Sequence, residues 1–298
     1  MTSQLNTQTE ISRQSSQFRK PGNPGLSATR LALQLYARVS PQKAGKLVNR
    51  MAFRPSRLSL PVRYEHWLDN TDSYTQLQHG ARTIPVYSWG EGPVILGVHG
   101  WGGAGVQFGA WIEPLVEAGY RVVVFDAPAH GRAQGESTDL LEMADVTAHV
   151  AASVGGVRGV LAHSLGCIAL ARAITNGLDT DYVAMLAPPV SLKAVMVDLG
   201  RQLALSPEVL TVHLELMEDR FGPSIWEKLN LETLCRGLNQ RGLIVIDDAD
   251  TSISPEESQR VAEAWDKADL LRTRGLGHHR ILSSPMVVET VLKSLGRE

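Results

Sequence analysis

Short apolar runs alternate along the chain with stretches whose apolar residues recur at helical spacing. The runs are nearly continuous in Val, Ile, Leu and Ala, which is typical of strands that are covered on both faces. Strands that alternate with helices form a mostly parallel sheet, because each helix returns the chain to the same edge. The pattern therefore predicts an α/β fold with a doubly wound, mostly parallel sheet and helices on both faces. The predicted strands are residues 93–98, 121–125, 159–161, 182–186, 242–246 and 270–273, and the predicted helices are residues 111–118, 140–152, 255–265 and 286–295.

The alternation is interrupted once, over residues 191–238, where the pattern is helical and no strong strand occurs. We therefore expect a helical cap inserted into a core that is formed by residues 64–190 and 239–298. Near the start of this core, residues 83–89 predict an edge strand, because Pro85 has no N–H to donate to a neighbouring strand.

Residues 1–63 form a separate, basic N-terminal extension. They hold 11 of the 29 Lys and Arg residues but a single acidic residue, Glu10. Ser, Gln, Asn, Pro and Gly dominate residues 1–26, which predicts disorder. Residues 27–53 have the spacing of two short helices separated at Ser40. Packing on the acidic remainder of the chain is the simplest interpretation, and weak contact with an anionic membrane surface or a targeting role are the alternatives.

The most informative local motif is Ala162-His163-Ser164-Leu165-Gly166, which lies between a predicted strand and a predicted helix. A strand, a sharp turn with serine at its apex and a helix together form a nucleophile elbow. The positions two before and two after the serine must be small, since the strand and helix backbones approach closely there. Alanine and glycine occupy these positions, which makes Ser164 the candidate nucleophile.

A serine nucleophile needs a base and an acid from loops at the same edge of the sheet. His278 follows the last predicted strand in a glycine-flanked loop and is the candidate base, with His279 as the alternative. Asp250 lies some four residues beyond the preceding strand, from where its carboxylate can turn back toward the histidine. It is the candidate acid, and Asp247 and Asp248 in the same loop stay open as alternatives.

The negative charge that develops on an attacked carbonyl oxygen needs hydrogen-bond donors. The backbone N–H of Leu165, directly after the serine, is one candidate donor. The second is the N–H of Trp101 in the sequence His99-Gly100-Trp101-Gly102-Gly103, because glycines there let the backbone approach a ligand closely. These two amides would form an oxyanion hole.

Together these motifs resemble the α/β-hydrolase fold superfamily, over roughly residues 80–298. A further match is the loop 126–132, which is similar to the family pattern D-x-P-G-H-G-x-S, with Ala129 in place of one glycine and Ala133 where serine is usual. The resemblance implies a serine hydrolase with a triad of Ser164, Asp250 and His278, which cleaves a carboxylic ester or thioester through an acyl-enzyme. It also implies that the helical insertion covers the site and shapes the substrate pocket.

Other functions on this scaffold stay open. Dehalogenases and epoxide hydrolases of this fold use aspartate as nucleophile, which the serine at position 164 argues against. Cofactor-free haloperoxidase-like enzymes and C–C bond hydrolases keep the serine triad, so the sequence does not separate them from esterases. A non-catalytic binding protein is a further alternative, although such proteins typically lose a triad member.

Composition limits the expected compartment, cofactors and partners of the protein. The two cysteines, Cys167 and Cys235, argue against a disulfide framework and favour a reducing, cytoplasmic location. Zinc-type Cys and His spacings are absent, so we expect no metal, and we expect no cofactor. The chain is acidic beyond residue 63, which argues against nucleic acid as a partner and leaves a small acyl substrate as the expected one. The sequence gives no indication of oligomeric state.

Overall fold

The computed structural model describes residues 24–57 and 64–296, and these residues form an eight-stranded sheet. Its strands are β1 (Ser73–His79), β2 (Arg82–Trp89), β3 (Val94–Val98), β4 (Arg121–Phe125), β5 (Gly159–His163), β6 (Tyr182–Leu186), β7 (Arg241–Asp247) and β8 (Ala268–Thr273). They lie in the order β1-β2-β4-β3-β5-β6-β7-β8. The pairings of β2 with β1 and with β4 are antiparallel and the others are parallel, so the predicted fold class is confirmed.

Helices cover both faces of the sheet. Successive residues of β3 show this. Leu96 belongs to a buried cluster with the helices Leu140–Ser153 and Leu165–Thr175, whereas Ile95 belongs to a cluster with the helices Gly109–Glu117 and Pro285–Leu295. The core helices are α3 (Glu65–Asp69), α4 (Gly109–Glu117), α5 (Leu140–Ser153), α6 (Leu165–Thr175), α11 (Pro255–Glu263), α12 (Gly277–Arg280) and α13 (Pro285–Leu295).

The prediction that residues 83–89 form an edge strand is wrong, because β2 lies between β1 and β4. The hydrophobic pattern does not predict β1, the edge strand at this end of the sheet, since its sequence is polar and its side chains are largely exposed. Pro85 is tolerated inside the sheet because it precedes the β2–β4 ladder, which begins at Val86. Its carbonyl still accepts a hydrogen bond from the N–H of Asp126, at 3.1 Å.

The chain between β6 and β7 is helical, as the pattern predicts, and we call it the helical insertion. It comprises α7 (Leu192–Gln202), α8 (Pro207–Phe221), α9 (Ile225–Lys228) and α10 (Leu231–Cys235). Met196 and Met217 of the insertion belong to the same buried cluster as Ala162 and Leu165 beside the elbow. The insertion therefore packs directly over the edge of the sheet where Ser164 lies.

The N-terminal extension contributes α1 (Pro24–Val39) and α2 (Pro41–Ala52), which meet at Ser40. They pack on the helical insertion, where Leu33, Ala44 and Val48 form a buried cluster with residues of α7 and α8. A Cβ at Gly45 would lie 2.5 Å from Val212 Cγ1, so α2 and α8 approach closely there. The two helices of the N-terminal extension therefore pack mainly on the helical insertion.

Disorder is predicted for residues 1–26, but residues 1–23 lie outside the described part and residues 24–26 begin α1. Among residues 24–57 and 64–296, no helix has the length and apolar composition needed to cross a bilayer. The same residues contain no group of three or more His, Cys, Asp or Glu side chains placed to hold a metal ion.

Candidate active site

Ser164 lies at the apex of the turn between β5 and α6. Its φ of 53° and ψ of −128° are a backbone conformation that residues other than glycine adopt at a cost of about 1–3 kcal/mol. The N–H of Ser164 donates to the carbonyl of Leu186, and its own carbonyl accepts from the N–H of Cys167, both at 2.9 Å. A Cβ at Gly166 would lie 2.5 Å from the His99 carbonyl oxygen. Any larger residue at this position would therefore clash with the backbone of His99, which explains why the position must be small.

The structure brings Ser164, His278 and Asp250 into one hydrogen-bonded chain. The distance from His278 Nε2 to Ser164 Oγ is 3.1 Å, and that from His278 Nδ1 to Asp250 Oδ2 is 2.8 Å. The side chains of His278 and Asp250 are only 10% and 3% exposed. With Nδ1–H donating to the carboxylate, Nε2 is left to accept the serine proton.

Asp250 is held by three donors. Its Oδ1 accepts hydrogen bonds from the backbone N–H groups of Ser252 and Ile253, at 2.7 and 3.0 Å, while Oδ2 faces His278. Burial acts to raise the pKa of this carboxyl group, but the hydrogen bond and charge of His278 and the two amides together hold the pKa below its usual value. Asp250 is therefore ionised beside the imidazole at neutral pH.

The carboxylates of the two alternative acids, Asp247 and Asp248, have partners other than His278. Asp247 is buried and accepts four hydrogen bonds, from the N–H groups of Ala249, Leu276 and Gly277 and from the Thr273 hydroxyl. Asp248 forms ion pairs with Arg272 and Arg274. Asp247 thus ties the loop after β7 to the segment that carries His278, and neither carboxylate bonds to that imidazole.

Among the described residues, neither the alternative base, His279, nor the other histidine after Ser164, His213, is hydrogen-bonded to Ser164. His279 is exposed, and its ring centroid lies 5.1 Å from that of His278. His213 is buried in α8 and contacts Asn49 and Met196. His278 itself lies in the first turn of the short helix α12, where the sequence predicts a loop.

The loop after β3 lies directly above the serine. A Cβ at Gly100 would be 2.9 Å from Ser164 Cβ, and the N–H of Gly103 donates to the Gly100 carbonyl at 3.1 Å. Within the described part of the chain, the backbone N–H groups of Trp101 and Leu165 have no hydrogen-bond acceptor. Both amides are therefore free to bind an oxygen atom near Ser164 Oγ.

The sequence profile of the alpha/beta hydrolase family matches residues 95–290, more than half of the chain. This segment holds Ser164, Asp250 and His278. The chain belongs to the alpha/beta hydrolase family. The resemblance of its motifs to that family and the prediction of a hydrolase enzyme are thereby confirmed.

Solved structures with the fold of this hydrolase include three of different activity. A bacterial membrane phospholipase A is 17% identical, with a TM-score of 0.58, and the match covers 75% of this chain and 85% of that chain. A bromoperoxidase from Bacillus anthracis is 16% identical, with a TM-score of 0.59 and coverages of 76% and 100%. An esterase from Exiguobacterium antarcticum is 16% identical, with a TM-score of 0.57 and coverages of 72% and 96%. No curated protein matches in sequence.

In this hydrolase the hydroxyl of Ser164 opens into a cavity of about 810 Å³. Its walls are mostly apolar and come from the helical insertion, for example Met196 and Phe221, and from the N-terminal extension, for example Met51 and Phe53. The contribution of the extension is not predicted by the sequence, because only the packing of α2 on α8 brings it to the site.

Sequence reasoning also missed His163, although it lies within the elbow motif of this hydrolase. Its Nε2–H donates to the backbone carbonyl of His278 at 2.9 Å, and the two ring centroids are 4.7 Å apart. Burial, followed by the proximity of His278, lowers the pKa of His163 to about 3, so the ring is neutral. A histidine next to the candidate nucleophile is the only signal in the sequence that points to this contact.

A second buried histidine orders the loop that carries Trp101. His99 donates from Nδ1 to the Gly100 carbonyl at 2.8 Å and accepts the N–H of Ala127 at Nε2, at 3.0 Å. The carboxylate of Asp126, which precedes Ala127, accepts hydrogen bonds from the backbone N–H groups of Gly105 and Arg132, both at 2.8 Å. The 126–132 loop of this hydrolase therefore supports the loop above the serine.

Proposed function

We propose that this protein is a serine hydrolase that cleaves a carboxylic ester or thioester through an acyl-enzyme. The observation that carries the proposal is the Ser164–His278–Asp250 chain, with contacts of 3.1 and 2.8 Å, at the floor of a largely apolar cavity. Hydrogen-bonded nucleophile, base and orienting acid are the arrangement that activates a serine hydroxyl.

In the first half of the reaction, Ser164 Oγ attacks the carbonyl carbon while His278 Nε2 takes its proton. Asp250 stabilises the resulting imidazolium and fixes the ring by its bond to Nδ1. The amides of Trp101 and Leu165 act as the oxyanion hole for the tetrahedral intermediate. A donor of this kind contributes about 2.7–4 kcal/mol to the stability of the transition state.

The intermediate then collapses, and the bond from the acyl carbon to the alcohol or thiol breaks. The leaving group takes the proton from His278, which leaves the acyl group as an ester on Ser164. A water molecule enters, His278 removes its proton, and attack on this ester releases the carboxylic acid and restores the serine.

The shape and chemistry of the cavity favour an apolar acyl or alcohol group. Apolar walls bury the hydrocarbon part of a substrate, at about 25 cal/mol per Å² of surface removed from water. Met196 and Phe221 of the helical insertion supply part of this wall, which supports the role of the insertion as a cap.

The test is labelling of the purified protein with a fluorophosphonate probe, which reacts with serine hydroxyls that a neighbouring base activates. We expect the wild type to be labelled, Ser164→Ala to be unlabelled, and His278→Ala to be labelled more slowly by about 10³-fold or more. Ser252→Ala is the matched control, because Ser252 lines the same cavity and contacts Asp250 only through its backbone N–H. It should stay labelled.

Turnover of p-nitrophenyl esters and acyl thioesters of increasing chain length then tests the reaction class. An initial burst equal to the enzyme concentration is expected if an acyl-enzyme accumulates. A folded wild type that is neither labelled nor active on any ester or thioester would overturn the proposal. Labelling at Ser164 without ester or thioester turnover would instead favour perhydrolysis or C–C bond cleavage by the same triad.

A further inference from the structure

The helix α1 carries a line of exposed apolar side chains. Leu31, Leu35 and Val39 are 58%, 52% and 80% exposed. They are spaced four residues apart, so they lie on one side of the helix. Leu33 is buried against the helical insertion on the opposite side. We call Leu31, Leu35 and Val39 the apolar stripe.

Cationic side chains are exposed on α1 and on the following helix α2. At about 100° per residue, Arg38 projects on the same side of α1 as the stripe. It is exposed, as are Lys43, Lys46 and Arg50 of α2. Within the described residues, none of these four forms an ion pair, and residues 24–57 contain no Asp or Glu at all.

The stripe is connected to the cavity that Ser164 faces. Arg30 Nε, one position before Leu31, donates to the carbonyl of Gln202, and Gln202 lines the cavity. From the other end of α1 the chain continues into α2, whose Met51 is partly exposed and also lines the cavity. The two N-terminal helices therefore contact or contribute residues of the cavity wall.

We propose that α1 binds the surface of an anionic phospholipid membrane. The apolar stripe inserts into the boundary between headgroups and acyl chains, while Arg38, Lys43 and Lys46 contact anionic headgroups. An amphipathic helix with apolar residues on one side and cations beside them binds in this way. A second copy of the chain fits this surface less well, because two stripes face to face would bring like charges together.

The experiment is co-sedimentation of the full-length protein with vesicles of phosphatidylcholine alone and of phosphatidylcholine with phosphatidylglycerol. We expect binding to the anionic vesicles, with weaker binding at high salt. The triple substitution Leu31→Gln, Leu35→Gln and Val39→Gln should lower the partition coefficient by about tenfold or more, since the stripe supplies the apolar contact.

Leu270→Gln with Met286→Gln is the matched control, because these residues are exposed and apolar but lie on other elements, β8 and α13. It should bind as the wild type does, and thermal unfolding of each variant checks that it is folded. Arg38→Gln with Lys43→Gln and Lys46→Gln should weaken binding and remove most of its salt dependence.

Equal binding by the wild type and the stripe variant would overturn the proposal, as would absence of wild-type binding to anionic vesicles. A dimer in sedimentation velocity that the stripe variant abolishes, without vesicle binding, would assign the stripe to a second copy instead. None of these readouts depends on catalysis, so they are independent of the proposed ester or thioester cleavage.

Discussion

The Nε2–H group of His163 donates a hydrogen bond to the backbone carbonyl of His278, at a distance of 2.9 Å. The residue before the proposed nucleophile thereby holds the segment that carries the proposed base. His163 is fully enclosed and neutral, so this contact needs no counter-ion. It links the end of β5 with the start of α12, two elements that are 115 positions apart in the chain.

We expect His163→Leu to lower kcat by on the order of 10²-fold, because a shift of about 1 Å in a catalytic group has a cost of that size. KM should change little, since His163 does not line the cavity. The measurement is steady-state kinetics on an ester identified by the substrate panel.

His163→Gln separates positioning from packing, because a side-chain amide can still donate to the His278 carbonyl. It should retain most of the activity that His163→Leu loses. If both variants lose kcat equally while unfolding at the wild-type temperature, the hydrogen bond is not the source of the effect.

Asp250→Asn is expected to lower kcat/KM by on the order of 10³- to 10⁴-fold, because an amide neither stabilises the imidazolium nor fixes the required tautomer. Asp248→Asn removes a charge from the same loop but from a carboxylate that faces Arg272 and Arg274. It should remain close to wild type. Loss of activity in Asp248→Asn with retention in Asp250→Asn would reverse our assignment of the acid.

Asp247→Asn should destabilise the fold. Its carboxylate accepts four hydrogen bonds, and an amide can accept only at its oxygen and would place its NH₂ group against buried donors. We expect a loss of roughly 2–4 kcal/mol in the free energy of unfolding, measured by urea denaturation. A variant with wild-type stability would show that these contacts contribute little.

Acid should destabilise the protein well before carboxyl groups titrate. Burial is the main cause that lowers the pKa of His130 and His163 to about 3 and that of His213 to about 4. Between about pH 6.5 and these folded-state pKa values, the unfolded chain binds protons at the rings and the folded chain does not.

Each of these rings therefore lowers the free energy of unfolding by about 1.4 kcal/mol per pH unit as pH falls below about 6. Above pH 7 their contribution is constant. Urea denaturation at pH 7.5, 6.5, 5.5 and 4.5 measures the slope, and a free energy of unfolding that is flat between pH 6.5 and 4.5 would contradict the buried neutral state of these histidines.

The sequence carries enough to predict the parallel part of the sheet, the elbow and the positions of Asp250 and His278, because each of these two residues follows a predicted strand. It does not predict β1, because the residues of this strand are polar and largely exposed. The strand is held by its pairing with β2, which the hydrophobic pattern does not reveal. The contact of His163 with His278 is equally hidden, since it depends on how far two distant loops approach each other. The role of Asp247 follows from four donors, three of which lie 26 to 30 positions further along the chain, and is visible only in three dimensions.

Met51 and Phe53 form part of the cavity wall although both precede the segment that matches the family profile, which begins at residue 95. The wall of the cavity is thus shared between the family core and a stretch of chain that precedes it. On the proposed function, substitutions in the N-terminal helices should shift the preferred acyl group while Ser164, Asp250 and His278 stay in place.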